Sequence, residues 1–179
     1  MNRPCVIRAA RWPDDALAVR RVLREYEASL PYSLCFQGFA EELDGLPGKY
    51  APPKGAMLIA ELTSERTDPD REQQEPAMAG TVAFRELDPS GVLPEDPGPI
   101  CEMKRLYVSP WARGRSIGRL LCEALILAAR DAGYRFMKLD SDAAGMADAI
   151  KLYRSLGFED VPRYNDDPMV GTIWLGRAI

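Results

Sequence analysis

Glu102-Met103-Lys104-Arg105-Leu106-Tyr107-Val108-Ser109-Pro110-Trp111-Ala112-Arg113-Gly114-Arg115-Ser116-Ile117-Gly118-Arg119-Leu120-Leu121 decides how the rest of the chain is read. Its first part predicts a strand: Leu106, Tyr107 and Val108 favour extended backbone and Pro110 ends the run. Its last part predicts a helix. Ile117, Leu120, Leu121, Ala124, Leu125 and Ala128 recur at three- and four-residue steps and form one apolar stripe. A turn rich in Gly and Arg joins the two. The first N–H groups of a helix have no partner inside it, and the helix dipole adds positive charge there. Gly114 and Gly118 leave the backbone open, and Arg113, Arg115 and Arg119 bring three cations. A phosphate or pyrophosphate fits such a place. An ordinary turn with solvated arginines fits the same spacing, and spacing alone leaves both readings open.

Outward from this centre, elements follow in a legible order. Val6 to Ala9 predicts a strand, and a helix opening at Trp12-Pro13-Asp14-Asp15 carries Ala16, Val19, Val22, Leu23 and Tyr26 inward. Phe36 to Leu43 predicts a second, shorter helix, and Met57 to Leu62 an apolar strand. Thr63 to Pro76 has no apolar residue and predicts a long exposed loop. Met78 to Glu86 is the next strand, and Asp88 to Pro99, rich in Pro and Gly, an irregular loop. After the central helix come a strand at Tyr134 to Asp140, a helix capped by Ser141 or Asp142 and ended by Gly157, and strands at Phe158 to Val161 and Val170 to Leu175. The fold class is mixed α/β, with a mainly antiparallel sheet of six to seven strands flanked by four helices.

Composition narrows the chemistry. The 179 residues suffice for one domain with a sizeable core, expected over 1–179. There are 23 Lys and Arg against 27 Asp and Glu, so the chain lacks the basic footprint of nonspecific nucleic-acid binding. No apolar run has the length of a membrane span, and Met1-Asn2-Arg3-Pro4 does not read as a signal peptide. Cys5, Cys35, Cys101 and Cys122 have no metal or redox spacing, which fits reduced thiols in the cytoplasm. With no histidine in the chain, acid–base work falls to Glu, Asp, Lys, Tyr, Cys or water, and no metal is expected.

The turn resembles the signature of the GCN5-related N-acetyltransferase (GNAT) family: Arg or Gln, two residues, Gly, one residue, then Gly or Ala, directly after a strand. Here it is Arg113-Gly114-Arg115-Ser116-Ile117-Gly118, with Ser116 in place of the middle glycine. A second similarity lies in Ala149-Ile150-Lys151-Leu152-Tyr153-Arg154-Ser155-Leu156-Gly157-Phe158. The likeness runs over residues 78–176; before them only the order of elements agrees. It implies acetyl transfer from acetyl-CoA to a primary amine of a small molecule or peptide by direct attack. The alternative is a non-catalytic acyl-CoA-binding module of the same fold.

The resemblance implies a site. Leu106, Tyr107 and Val108 would offer backbone groups to pantetheine on a strand splayed from the next. Residues 113–119 (Arg113, Gly114, Arg115, Ser116, Ile117, Gly118, Arg119) would wrap the pyrophosphate, with Ala149 and Leu152 beside the cofactor. Tyr153 would protonate the leaving thiolate, a phenol of pKa about 10 facing a thiol of about 8.5; plain packing is the alternative. Where many members carry Asn, Met146 stands, so that polar contact is not expected. Glu102 is the candidate base, directly or through water; a salt bridge to Lys104 or a nearby arginine is the competing reading. Strand alternation puts Glu102, Lys104, Leu106 and Val108 on one face and Met103, Arg105 and Tyr107 on the other, and a kink at Lys104 or Arg105 would change which of them face the site. Asp140, Asp142, Asp166 and Asp167 are either an acidic rim for a cationic amine or caps and solvated charges. The acceptor amine itself is not legible, and a homodimer is a family-level expectation.

Overall fold

The computed structural model describes residues 4–62, 77–166, 168 and 170–179. The expected loop Thr63 to Pro76 and Asp167 lie outside the described residues. Strands β1 (Cys5–Ala9), β2 (Ala56–Leu62), β3 (Ala77–Glu86), β4 (Ile100–Val108), β5 (Phe136–Asp142), β6 (Glu159–Asp160) and β7 (Thr172–Ala178) form one sheet in the order β1-β2-β3-β4-β5-β7-β6. Only β4 and β5 pair in parallel; every other neighbouring pair is antiparallel. The helices are α1 (Ala16–Ala28), α2 (Phe39–Asp44), α3 (Ile117–Asp131) and α4 (Ala147–Ser155).

Each sheet face carries one helical layer, so β2 is apolar on both sides. Its Leu58, Ala60 and Leu62 join the cluster of α3 and α4, which holds Leu121, Leu125, Tyr153 and Leu156. Its Met57 and Ile59 join Val19, Val22, Leu23, Phe39 and Leu43 from α1 and α2. Among the described residues no helix is long and apolar enough to cross a membrane.

Three local expectations change. The helix expected from Phe36 to Leu43 is broken: a short 3₁₀ turn, Cys35–Gln37, ends at Gly38 in the left-handed region (φ 65°), and α2 starts after it. Asp142 does not cap α4; it accepts from the N–H groups of Ala144 and Gly145 one turn earlier, and Met146 stands at the cap position. The last strands are displaced, β6 to two residues and β7 to Thr172–Ala178.

The fourth change positions the site. Arg105 sits in the left-handed region (φ 59°), and the β3–β4 register slips between Thr81 and Ala83. This is a β-bulge, and the Thr81 hydroxyl pins it by donating to the Arg105 carbonyl at 3.0 Å. The extra residue overturns strict alternation. Met103, Leu106 and Val108 pack together on the α3 side, whereas Tyr107 lies in the cluster of α1 and α2. Arg105 turns to α2, where Glu42 receives its Nε and Nη2 at 2.7 and 2.9 Å.

Candidate active site

The parallel pairing of β4 and β5 covers Ile100↔Phe136, Cys101↔Met137 and Glu102↔Lys138, and stops there. Beyond it β5 stays zipped to β7 as far as Asp142↔Thr172, and β4 stays on β3 as far as Val108↔Gly80. The two strands therefore part. A cleft opens between them, lined by Met103, Lys104 and Leu106 on one side and by Leu139, Asp140 and Ser141 on the other. Met146, Ala149 and Tyr153 close it from α4, and Tyr26, Tyr32, Leu34 and Gln37 from the opposite layer. Strand groups that no longer pair across the gap are left for a ligand to satisfy.

The gap leads to the head of α3. The first helical hydrogen bond there is Leu120 N–H to the Ser116 carbonyl at 3.1 Å, so the amides of Ile117, Gly118 and Arg119 precede the helical ladder. Gly114 (φ 77°) and Ser116 (φ 57°) both take left-handed conformations to turn the chain into the helix. The Ser116 hydroxyl makes no capping bond, so it does not compete for these amides. Gly118 faces α4 and the end of β4: a Cβ there would lie 3.4 Å from Leu152 and 3.9 Å from Val108. The three arginines differ. Arg113 donates to the Val108 carbonyl at 3.1 Å, and Arg119 donates to Ser155 at 2.6 Å. Arg115 is exposed and without a hydrogen-bond partner among the described residues.

Tyr153 is buried, with its ring edge-on to Phe158 at 5.9 Å. Its hydroxyl has no hydrogen-bond partner among the described residues. Burial pushes its pKa well above the ordinary phenol value, which keeps the proton on at neutral pH. Burial likewise pushes the Cys101 and Cys122 thiols up to about 12, so neither is a ready thiolate.

At the other end of the cleft lies a buried ionic array. Oε2 of Glu102 accepts a hydrogen bond from Arg85 Nε at 2.9 Å, with Arg85 Nη2 at ion-pair distance, 2.8 Å. Its Oε1 accepts one from the Tyr164 hydroxyl at 3.1 Å, with Lys104 Nζ at ion-pair distance, 3.2 Å. Glu102 is thus held in salt bridges to Lys104 and Arg85, and it does not line the cleft.

Lys104 also reaches Asp140 Oδ1 at 2.8 Å, and Asn165 Nδ2 holds Asp140 Oδ2 at 2.7 Å. Burial alone would raise the Asp140 pKa, but Lys104 and Asn165 outweigh it and the net shift is downward. Burial likewise opposes the charge on Lys104, and Asp140 and Glu102 reverse that, so its pKa rises. Asp140 is thus one member of an ion pair and Asp142 a turn cap, while Asp166 borders a neighbouring hollow. Asp140 and Asp142 both line the cleft and Asp166 the hollow beside it. Gln37, Glu42 and Arg85 are among the members that sequence reasoning missed: each looks like a surface residue, and only tertiary pairing brings it here.

The sequence pattern of the acetyltransferase (GNAT) family matches residues 47–158. An uncharacterized N-acetyltransferase of Schizosaccharomyces pombe is 33% identical over 169 residues, 94% of this chain and 91% of that one. Among solved structures, a GNAT acetyltransferase of Staphylococcus aureus superposes with a TM-score of 0.69 at 14% identity, over 98% of this chain and 99% of that one. Arabidopsis thaliana NAA60, solved with a bisubstrate analogue, gives 0.67 at 15% identity over 98% and 99%. The parted strands, the amide-lined helix head and these likenesses agree: the chain belongs to the GNAT family and is an N-acetyltransferase.

Proposed function

We propose that this protein is an acetyl-CoA-dependent N-acetyltransferase, one domain over 1–179, acting on a primary amine of a small molecule or peptide by direct attack. The observation that carries the reading is the end of β4–β5 pairing at Glu102↔Lys138, opening a gap that leads to the bare amides of α3. These residues fit the cofactor. The amides of residues 113–119 and the side chains of Arg113, Arg115 and Arg119 would hold the pyrophosphate. Leu106, Tyr107 and Val108 would offer backbone groups to the pantetheine arm, with Ala149 and Leu152 packing along it. When bound, coenzyme A supplies an activated acetyl thioester.

The chain's own groups do the rest. A backbone N–H of the parted β4 polarises the acyl carbonyl, as an oxyanion hole does. Tyr153, kept protonated and without a hydrogen-bond partner among the described residues, would give its proton to the leaving sulfur. The acceptor ammonium must lose a proton before it attacks. Of the two routes expected for Glu102, its place behind the cleft wall favours the one through water: a cleft water takes the ammonium proton and passes one on to the Glu102 carboxylate. Burial holds Cys101 and Cys122 as thiols, which supports direct attack over an acyl-enzyme on either. Free cysteines support a reducing, cytoplasmic setting. A homodimer belongs to this reading and is checked by light scattering.

The test is release of free thiol from acetyl-CoA in the presence of a mixed amine library, beside calorimetric titration with coenzyme A. Binding together with amine-dependent thiol release is expected. Binding without turnover on any amine would favour the non-catalytic module, and absence of binding would overturn both.

A further inference from the structure

Next to the cleft, on the side away from α3 and α4, lies a hollow of about 220 Å³. It shares Gln37, Lys104, Arg105 and Asp140 with the cleft and adds Arg85 and Asn165. Three of these side chains are cations. Their counter-carboxylates are placed unevenly. Glu102, which holds Arg85, and Glu42, which holds Arg105, do not line the hollow. Only Asp140 does, with Asp166 at the exposed edge.

Donors are left over on this wall. Arg85 donates Nε to Oε2 of Glu102, with Nη2 at ion-pair distance from the same oxygen, and among the described residues its Nη1 has no acceptor. Gln37 receives Arg105 Nη1 on Oε1 at 2.9 Å. A guanidinium only donates, so the amide oxygen must face Arg105 and the NH₂ must turn away. That NH₂ has no partner among the described residues. The hollow therefore presents a guanidinium edge and an amide NH₂, with Asp140 standing where hollow and cleft meet.

We propose that the acceptor is an amino-acid-like zwitterion: its carboxylate sits in this hollow on Arg85 and Gln37, and its amine lies at Asp140 and points into the cleft. This rests on the N-acetyltransferase reading and narrows its acceptor. A planar guanidinium suits a carboxylate, and its hydrogen bonds to an anion are strengthened by charge. A simple alkylamine or polyamine would leave these donors unpaired, which discriminates against it. The hollow is sized for the head group of a small molecule.

The experiment compares free amino acids with their own decarboxylated amines, at saturating acetyl-CoA, by kcat/KM. A preference of at least 100-fold for the amino acid is expected in the accepted pairs. Arg85→Gln and Gln37→Leu should each shrink that preference at least tenfold. Gln37 lies in a surface turn, so its variant remains informative should the loss of Arg85 unsettle Glu102. A second readout needs no turnover: calorimetric titration of the same pairs into protein saturated with coenzyme A. Binding by amino acids and none by their decarboxylated amines is the expected result. Equal rates and equal binding within pairs, or binding by neither member, would overturn the proposal while acetyl transfer to other amines stands. A protein that neither binds coenzyme A nor acetylates any amine would instead remove the reading beneath it.

Discussion

The two ends of the gap between β4 and β5 are built from different materials. Toward α3 the groups on offer are backbone amides, held by a turn in which Gly114 and Ser116 take left-handed conformations. Toward α2 and the last loop they are side chains from Gln37, Glu42, Arg85, Glu102, Lys104, Arg105, Asp140, Tyr164 and Asn165, gathered from six segments. A backbone site tolerates many side chains but needs an unblocked approach. A side-chain array needs every member, because a buried charge without its partner is costly. Substitution should therefore affect stability at one end and cofactor binding at the other.

Lys104→Met is the strongest way to break that contrast. The ammonium lies between Glu102 and Asp140 and is nearly inaccessible. Its removal leaves two buried carboxylates facing each other, and a loss of about 3–5 kcal/mol is expected from denaturant midpoints. A loss under about 1 kcal/mol would mean the array is not a unit. The wild type carries a pH signature of the same array. Asp140 and Glu42 are both held below the ordinary carboxylate value, so their contribution is present above that value and is lost as pH falls through their folded pKa. Acid unfolding curves should show this loss, and Lys104→Met should weaken the Asp140 part of it.

Tyr153→Phe separates chemistry from packing at the middle of the gap. The ring stays against Phe158 and only an unpartnered hydroxyl goes. Stability should move by less than about 0.5 kcal/mol, while kcat falls by about 100-fold if the hydroxyl is the acid. Unchanged kcat would reduce the residue to packing.

How far each end was legible follows from these materials. The helix head was readable because a Gly/Arg turn between an apolar strand and an amphipathic helix is local. The ionic array was not, because no spacing in the chain announces that Arg85 meets Glu102 or that Gln37 meets Arg105. The faces of β4 depart from strict alternation for a related reason, at the place where a kink would change them. The bulge at Arg105 depends on Thr81, a residue of the neighbouring strand, and one extra residue reverses alternation beyond it. Order and type of the elements survived such errors, since apolar periodicity averages over many residues. The broken helix around Gly38 did not, because one left-handed residue decided it.

Gly118→Val tests the backbone end by obstruction. A Cβ alone makes ordinary contacts with Leu152 and Val108, and the two further methyl groups of valine would add bulk at the place where the cofactor is proposed to approach the backbone. Coenzyme A affinity should fall at least tenfold by calorimetry, with Gly118→Ala closer to wild type. Wild-type affinity in the valine variant would place the pyrophosphate elsewhere.

Ser116→Gly carries the smallest expected effect and sharpens the contrast most finely. A residue with a Cβ in the left-handed region costs about 1–2 kcal/mol, and Ser116 sits there at φ 57°. Glycine removes that cost but adds about 0.4–1 kcal/mol of unfolded-chain entropy. The balance predicts a gain of about 0.5–1 kcal/mol in a denaturation curve. Cofactor affinity should hold or improve slightly, because the N–H is retained and the hydroxyl lost makes no capping bond. A tenfold drop in affinity would show the opposite: that the serine oxygen is itself a ligand, and that this end of the gap also depends on a side chain.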